Sequence, residues 1–471
     1  MPFNSFLNYP MSWKPERSRL KRPIYLSLAD QLEQDIAAGF LSPGTKLPPQ
    51  RELADFLDIN FTTVTRAYRI CELKGLIYAR TGSGTFVSPS AAKSVTISTD
   101  GPLPGSIDLG FVSSFEECNE MVADSIIAVT KKKQLAGLLD YKYPTGMPHH
   151  KAAAVNWLQT LGLQTDPEHL AIVSGTLNGL ALTLSALFHP GNRIAVDLYT
   201  FANLIELARM YHLQLVPVSG DGEGMLAEDL ENQCRLNPVQ GIFLMPSCGN
   251  PTTVMISESR KKALAAVIKK YGLILVEDDM HAFLTAGILP DYRGPLTRFV
   301  PEQSVYLSGT SKPFCSGLRV AYLAAADSFR DALWQAIYNI NVKTSSLDAE
   351  IITELLLSGR AREILDRKFV LARERNRIFY EYFPELEGAG HPLSFYRWLP
   401  VRDGQSGARM EQELLRLGVR VYHSDRFLCG PREKSCFLRI SLATAESPEQ
   451  LREGLGIVRD RLRLPEGYSP K

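Results

Sequence analysis

Tyr306 to Tyr322, YLSGTSKPFCSGLRVAY, decides how the rest of the chain is read. An apolar run ends in small hydroxyl residues, one lysine, a glycine and an arginine, and then apolar sequence resumes. The pattern predicts a strand that ends by presenting Lys312 and a second strand, Arg319 to Ala325, beginning seven residues later. Ser308, Thr310 and Ser311 place short polar side chains around the lysine. An amine and a fixed cation on adjacent strand ends can hold an aldehyde and its phosphate. The plain alternative is a surface lysine near a paired arginine. The remaining chain must therefore supply a phosphate cradle, a carboxylate for a ring nitrogen and an aromatic lid.

Outward from that stretch, apolar runs of strand length alternate with helical patterns: HLAIVSG, RIAVD, LQLVPVS, GIFLMPS, LILVEDD, SVYLSG and RVAYLAA. Strands alternating with helices predict an α/β domain with a mostly parallel sheet, in which ligands gather beyond the carboxyl ends of strands. One such end is Ser174, Gly175, Thr176 and Leu177, just before NGLALTLSALF; backbone N–H groups at that turn could meet a phosphate, although Gly and Thr also start helices without a ligand. It is neither a Walker loop nor a GxGxxG turn. RIAVD leads into LYTFANL, where Phe201 or Tyr199 could stack on a planar ring or simply fill the core. Asn250 before Pro251 offers an amide to a phenolate-like oxygen, or makes an ordinary Asn-Pro turn. LILVEDDMH ends in three carboxylates, which could serve a pyridinium nitrogen, a metal pair or solvent. No other cluster of Asp, Glu or His in the sequence suggests a metal shell, so no metal is expected. Taken together, these strand ends meet the requirements of pyridoxal 5'-phosphate.

The 471 residues suggest two or three domains. With 45% hydrophobic and 22% charged residues and a net charge of +1, the composition is that of a globular protein. Residues 1–90 hold 11 Lys and Arg against 8 Asp and Glu, a weak basic bias. Seven cysteines without a CxxC pair suggest reduced thiols in a cytoplasm. No signal core or run of about 18 apolar residues occurs, so neither secretion nor membrane spanning is expected.

Residues 1–21 read as a polar arm, either a disordered tail or a DNA phosphate-contacting segment. Residues 22–88 form a separate pattern. Ile24, Leu28, Leu32 and Ile36 recur every four positions in a helix stopped by Gly39, and Arg51 to Leu57 makes a second. Thr62 and Thr63 can cap a third helix with Val64, Ala67, Tyr68 and Cys71 on its apolar face. Leu76–Ala79 and Thr85–Val87 then flank a glycine-rich hairpin tip. Three helices and a hairpin predict a winged helix-turn-helix, whose third helix would offer Thr62, Thr63 and Arg66 to a major groove. A module for protein contacts is the alternative.

LSPGTKLPPQRELADFLDINFTTVTRAYRICELKGLIYARTGSGTFV resembles the GntR family of bacterial regulators along nearly the whole DNA-binding domain. The resemblance implies that Arg51, Thr62, Thr63 and the wing glycines Gly82 and Gly84 contact double-stranded operator DNA. Phe61 departs, standing where many members carry a base-reading arginine. Residues 89–106, rich in Pro, Gly and small polar residues, read as a linker.

From about Ile107 onward the stations occur in the order of fold-type I aminotransferases, which this region resembles. The resemblance implies that Lys312 forms the internal aldimine, Asp278 pairs with the pyridine nitrogen, Asn250 meets the ring hydroxyl and Phe201 stacks on the ring. Gly175, Thr176, Leu177 and Arg319 would hold the phosphate. Tyr141, in YKYPTGMP, would reach the phosphate of a neighbouring subunit, implying a homodimer with shared sites. Arg439, in FLRISL, would grip an α-carboxylate. Met280 and His281 stand where a tyrosine is usual, and His281 would take over its hydrogen bond; PTT and SGLR replace PTG and PGLR. These changes bear on rapid transamination more than on cofactor binding. Residues 107–344 would form the large aminotransferase-like domain. Residues 345–471 would form a small C-terminal α+β domain entered by a helical stretch, Ser345 to Phe383, whose basic run RKFVLARERNR reads as a solvated face.

A GntR-type reader joined to an aminotransferase-like domain resembles the MocR family. That resemblance implies a pyridoxal-phosphate-dependent transcription regulator, sensing a small amino compound or the cofactor itself through aldimine chemistry at Lys312. Two alternatives stand beside it: an active aminotransferase of an α-amino acid with an accessory DNA-binding module, and a DNA-binding protein whose second domain is a dimerisation scaffold.

Overall fold

Four-residue spacing of apolar side chains builds the N-terminal unit. Helix α1 (Ile24–Ala37) buries Leu28, Ala29, Leu32 and Ile36, and the chain leaves it through Gly39 at φ +82°. Helices α2 (Gln50–Leu57) and α3 (Phe61–Leu73) close the same core, and strands β1 (Ile77–Arg80) and β2 (Gly84–Val87) pair antiparallel as the wing. In this computed structural model the chain is described over residues 11–42, 44–80, 82–88, 96–97, 105–286, 288–401, 407–430 and 435–462. Nearly all of the expected linker and the first half of the arm lie outside those residues.

Two expectations are corrected in this unit. The cap of α3 is Asn60, whose side chain accepts from the Thr62 backbone N–H at 2.8 Å; Thr62 and Thr63 lie inside the helix, and the Thr62 hydroxyl itself donates to Asn60 Oδ1. Asn60, still in extended backbone, is the residue whose side chain can turn back onto the first free N–H groups. Residues 11–20 are also no free tail. Trp13 is 4% exposed within the three-helix core, and its indole N–H donates to Asp35 at 2.8 Å. Burial of so large an apolar ring outweighs the polar character of its neighbours.

Beyond the linker, β3 (Ile107–Asp108) pairs in parallel with Val419–Arg420, so the chain first crosses the C-terminal unit. Helices α4 (Asn119–Thr130) and α5 (Pro148–Thr160) follow. The α/β unit then runs through β4 (Leu170–Val173), α6 (Thr176–Leu187), β5 (Arg193–Asp197), α7 (Ala202–Met210), β6 (Gln214–Val218) and a short hairpin of β7 (Gly220–Asp221) and β8 (Gly224–Met225). It continues through α8 (Ala227–Leu236), β9 (Gly241–Leu244), α9 (Glu258–Tyr271), β10 (Ile274–Asp278), α10 (Ala282–Thr285), β11 (Ser304–Gly309) and β12 (Ala321–Ala325).

The sheet order is β4-β12-β11-β10-β9-β5-β6, parallel except for β12, which is antiparallel to both neighbours. Both faces are covered. Leu170 and Ile172 of β4 join one apolar cluster, while Ala171 and Val173 join the opposite one. That two-sided burial is why these strands read as continuous apolar runs rather than alternating ones.

Helix α11 (Asp327–Ile340) leads to α12 (Ser346–Ser358) and α13 (Arg360–Tyr382). The single helical stretch expected over 345–383 is two helices, because Gly359 adopts the left-handed conformation at φ +83°. Strands β13 (Tyr396–Val401), β15 (Tyr422–His423) and β16 (Cys436–Ser441) form an antiparallel sheet. Around it lie α14 (Gly407–Arg416), β14 (Val419–Arg420) and α15 (Pro448–Arg461). Helix α13 belongs to two cores: Ile364 to Ala372 pack with the large unit, and Ile378, Phe379 and Phe383 with the C-terminal one. Among the described residues no helix is long and apolar enough to cross a membrane.

Candidate cofactor site and nucleic-acid interface

The parallel strands deliver their carboxyl ends to one edge of the sheet, where the predicted stations meet. After β11, Thr310 locks onto Val320 with its backbone N–H at 3.1 Å and its hydroxyl at 2.8 Å. That hydroxyl is committed to the turn rather than to a ligand. The lysine next in line turns back across the cleft: Lys312 Nζ donates to the carbonyls of Val112 and Ser113 and lies over the Phe111 ring, 5.6 Å from its centroid. Burial pushes the Lys312 amine down to about 7, with the charges of Lys368, Arg439 and Arg319 adding to the effect and Glu116 opposing it.

The three carboxylates of LILVEDD have different fates. Glu277 is satisfied by the N–H groups of Leu296 and Thr297, at 2.8 and 2.7 Å, and by the Thr297 hydroxyl. Asp279 accepts from the Ser247 hydroxyl at 2.9 Å. Asp278 is 1% exposed, and neither carboxylate oxygen has a partner among the described residues. Burial, then the neighbouring Asp279, pushes its carboxyl up to about 7. A buried carboxylate left without donors is costly, and a ring N–H is the type of group that would satisfy it.

The residues expected to meet a phosphate also come together. Gly175 precedes α6 at φ +89°, and a Cβ there would sit 2.6 Å from Arg319 Nη2. The guanidinium thus lies directly against the helix N-terminus, and Arg319 Nη1 also donates to Ser311 Oγ at 3.3 Å. Thr176 is buried in the first turn and Leu177 packs on the sheet cluster. Arg319 does not open the second strand as expected: it adopts φ +50° and the strand begins at Ala321, which frees the side chain to turn toward α6.

Arg439 on β16 is buried under Tyr422, Phe427 and Tyr396. It donates to Asn250 Oδ1 at 2.9 Å and to the Gly110 carbonyl at 2.7 Å, while its Nε has no partner among the described residues. Burial lowers its pKa to about 10. His281 is buried with neither ring nitrogen partnered among the described residues, its ring 5.5 Å from that of Tyr396, and burial pushes it down to about 3. Phe201 sits at the N-cap of α7 and packs against the sheet, whereas Tyr199 belongs to an aromatic group with Trp398 and Phe437. Tyr141 stands apart, 82% exposed.

Three features escape sequence reading. Tyr396 donates its hydroxyl to the carbonyls of Cys248 and Gly249, both at 3.1 Å, and so fixes the loop that carries Asn250. Gly110 to Ser113 bind both Arg439 and Lys312 through carbonyls, which no side-chain pattern reveals. The run RKFVLARERNR is not simply a solvated face: Arg367, Arg373 and Arg377 are exposed, but Lys368 and Arg375 are buried. Their helical spacing was the available signal. A polar cluster also forms where none was expected. Glu350 of α12 accepts from His149 at 2.6 Å, His150 at 2.7 Å and Lys132 at 2.7 Å. The imidazoles and carboxylate offer ligand atoms within 4.8 Å of one another, but the lysine on the second oxygen makes it a hydrogen-bonded ion network.

On the N-terminal unit, Arg51, Phe61, Thr62 and Arg66 are exposed, and Thr63 is half-buried. Arg51 lies over the Phe61 ring, 5.9 Å from its centroid, and Arg66 over that of Tyr25 at 5.8 Å. Phe61 thus supplies a surface for a guanidinium instead of supplying one itself. In the wing, Gly82 and Gly84 take φ +74° and +117°.

Fold and site define a helix-turn-helix reader joined to a class I/II aminotransferase fold. The description "Bacterial regulatory proteins, gntR family" matches residues 24–87, and "Aminotransferase class I and II" matches residues 115–458. The chain is 35% identical, over 98% of both sequences, to the uncharacterized HTH-type transcriptional regulator YdeF of Bacillus subtilis. It is 23% identical to the probable rhizopine catabolism regulatory protein MocR of Rhizobium meliloti, over 76% of each. Among solved structures, a kynurenine aminotransferase of Pyrococcus horikoshii superposes with a TM-score of 0.69 at 20% identity, covering 76% of this chain and 90% of that one. LysN, an α-aminoadipate aminotransferase of Thermus thermophilus, gives 0.67 at 22%, covering 78% and 95%. These two share the fold. The chain belongs to the aminotransferase class I and II family in its gntR-fused, MocR-type branch.

Proposed function

We propose that this protein is a pyridoxal-phosphate-dependent transcription regulator: it binds operator DNA through its winged helix-turn-helix and senses an amino compound, or the cofactor itself, at Lys312. The observation that carries the reading is Asp278, buried without a partner for either oxygen among the described residues, at the same strand edge as an amine held near neutrality. When bound, pyridoxal phosphate supplies an aldehyde that condenses with amines and a ring that withdraws electrons. Asp278 would hold the ring nitrogen, Gly175, Thr176, Leu177 and Arg319 the phosphate, and Phe201 one ring face. Asn250 and His281 would orient the ring hydroxyl, and Arg439 would take a ligand carboxylate. The exposure of Leu139, Tyr141 and Tyr143 together supports a homodimer in which Tyr141 completes the partner's site.

Sensing requires the ligand to favour one geometry of the two units. Gly110 to Ser113, bonded to both Arg439 and Lys312, follow β3, the first strand after the segment that leads from the reader, which supports such coupling. The test combines colour, DNA binding and turnover. Protein purified with the cofactor should be yellow, and Lys312→Ala should lose the covalently held cofactor completely. DNA fragments selected from a genomic library should change affinity when cofactor or candidate amines are added. Rapid keto-acid production with ligand-insensitive DNA binding would instead establish an aminotransferase. A colourless protein that cannot be reconstituted would leave only the scaffold reading.

A further inference from the structure

Helix α13 carries a lysine that the preceding assignments leave unused. Lys368 is 0% exposed, and its ammonium donates to the carbonyl of Lys312 at 3.0 Å and to that of Phe314 at 2.9 Å. No carboxylate forms an ion pair with it among the described residues; the groups facing it are Glu116, Cys118 and Cys315. Burying an ammonium without a counter-ion is costly, and an apolar side chain of similar length would fill the same space. The charge therefore calls for a reason other than packing.

We propose that Lys368 is a positioning residue for Lys312: it clamps the backbone of the turn that presents the amine and sets a buried positive charge behind that turn. The clamp is geometrically specific, since one of its two acceptors is the carbonyl of Lys312 itself. Only the unprotonated amine attacks a carbonyl carbon, and a like charge nearby raises the unprotonated fraction. Lys368 is the largest electrostatic contributor, after burial, to the lowered pKa of Lys312; Arg439 and Arg319 act in the same direction and Glu116 against it. Burial pushes Lys368 down to about 8, which leaves it mostly charged at pH 7. Because α13 packs in both the large and the C-terminal cores, the clamp also fastens the lysine turn to the helix that joins them.

The importance of the clamp for sensing rests on the reading of Lys312 as the cofactor lysine, whereas the clamp itself does not. Full-length wild type, Lys368→Met, Lys368→Gln and Lys368→Arg would be compared after thermal unfolding confirms a folded chain. With cofactor removed, acetic anhydride labelling of Lys312 is followed by peptide mass spectrometry across pH. The midpoint should rise by about one pH unit in the Met and Gln variants and stay near wild type in the Arg variant. With pyridoxal phosphate added, the pH at which its bound absorbance changes should move the same way. An unchanged midpoint in a folded Met or Gln variant overturns the proposal, as does an equal rise in all three. Gln retains a donor for the carbonyls, so it remains informative if Met does not fold. Failure of the wild type to bind cofactor defeats the functional reading, and the labelling experiment still decides the role of Lys368.

Discussion

The reader and the cleft treat polar groups in opposite ways. In the N-terminal unit Arg51, Thr62 and Arg66 fall within sixteen residues, all exposed above a closed apolar core. In the cleft, Asp278, His281 and Arg439 are buried with polar atoms that no described residue satisfies, and they come from segments up to 161 residues apart. A surface that meets a phosphate backbone keeps its cations hydrated until contact. A site for a planar cofactor must instead retain unsatisfied donors and acceptors inside, at a cost in stability that binding relieves. The two functions should therefore fail differently.

The largest separation is expected at Asp278. Asp278→Asn should lower cofactor affinity about a hundredfold, the scale of a buried charged hydrogen bond, and leave operator binding by the cofactor-free chain unchanged. The same variant should stabilise the cofactor-free protein in alkali. With its carboxyl raised to about 7 from an ordinary 3.8, the folded chain holds a proton that the unfolded chain releases between those values, so wild-type stability falls as pH rises through that window. Asparagine has no proton to lose. Thermal unfolding at pH 8 should favour the variant by about 4 kcal/mol, with the difference closing below pH 4.

Gly175→Ala should have a smaller effect on cofactor binding. The new Cβ displaces the tip of Arg319, and at φ +89° it also strains the backbone, so about tenfold weaker cofactor binding by fluorescence titration should be accompanied by a loss of about 1–3 kcal/mol in thermal unfolding. Smallest is Arg66→Ala, expected to weaken operator binding about fivefold by anisotropy with cofactor affinity untouched. A uniform loss across DNA sequences with a shallower salt slope would mark Arg66 as a phosphate contact; loss confined to one sequence would mark a base contact.

The same contrast explains what could be read from the chain. The strands after the linker were legible because two-sided burial leaves continuous apolar runs, and Asp278 and Lys312 because each sits at or just beyond the end of such a run, whereas Arg319 stands two residues before the start of one. Trp13 was obscured by the basic residues around it, and the α12–α13 break because Gly359 lies in an otherwise helical pattern. Gly110 to Ser113 act through backbone carbonyls, and Lys368 through a contact 56 positions away, so neither leaves a local pattern. The ion network at Glu350 joins residues about 200 positions apart and was invisible for the same reason.

Arg439 carries a further consequence. Its guanidinium is already engaged by the protein's own oxygens, Asn250 Oδ1 and the Gly110 carbonyl. A ligand carboxylate at Arg439, as proposed, would have to compete for these bonds, so its apparent affinity would be discounted by the work of displacing them. That discount would act as a threshold: weak carboxylates would be ignored, and one strong enough to win would free the Gly110 carbonyl, two residues beyond β3.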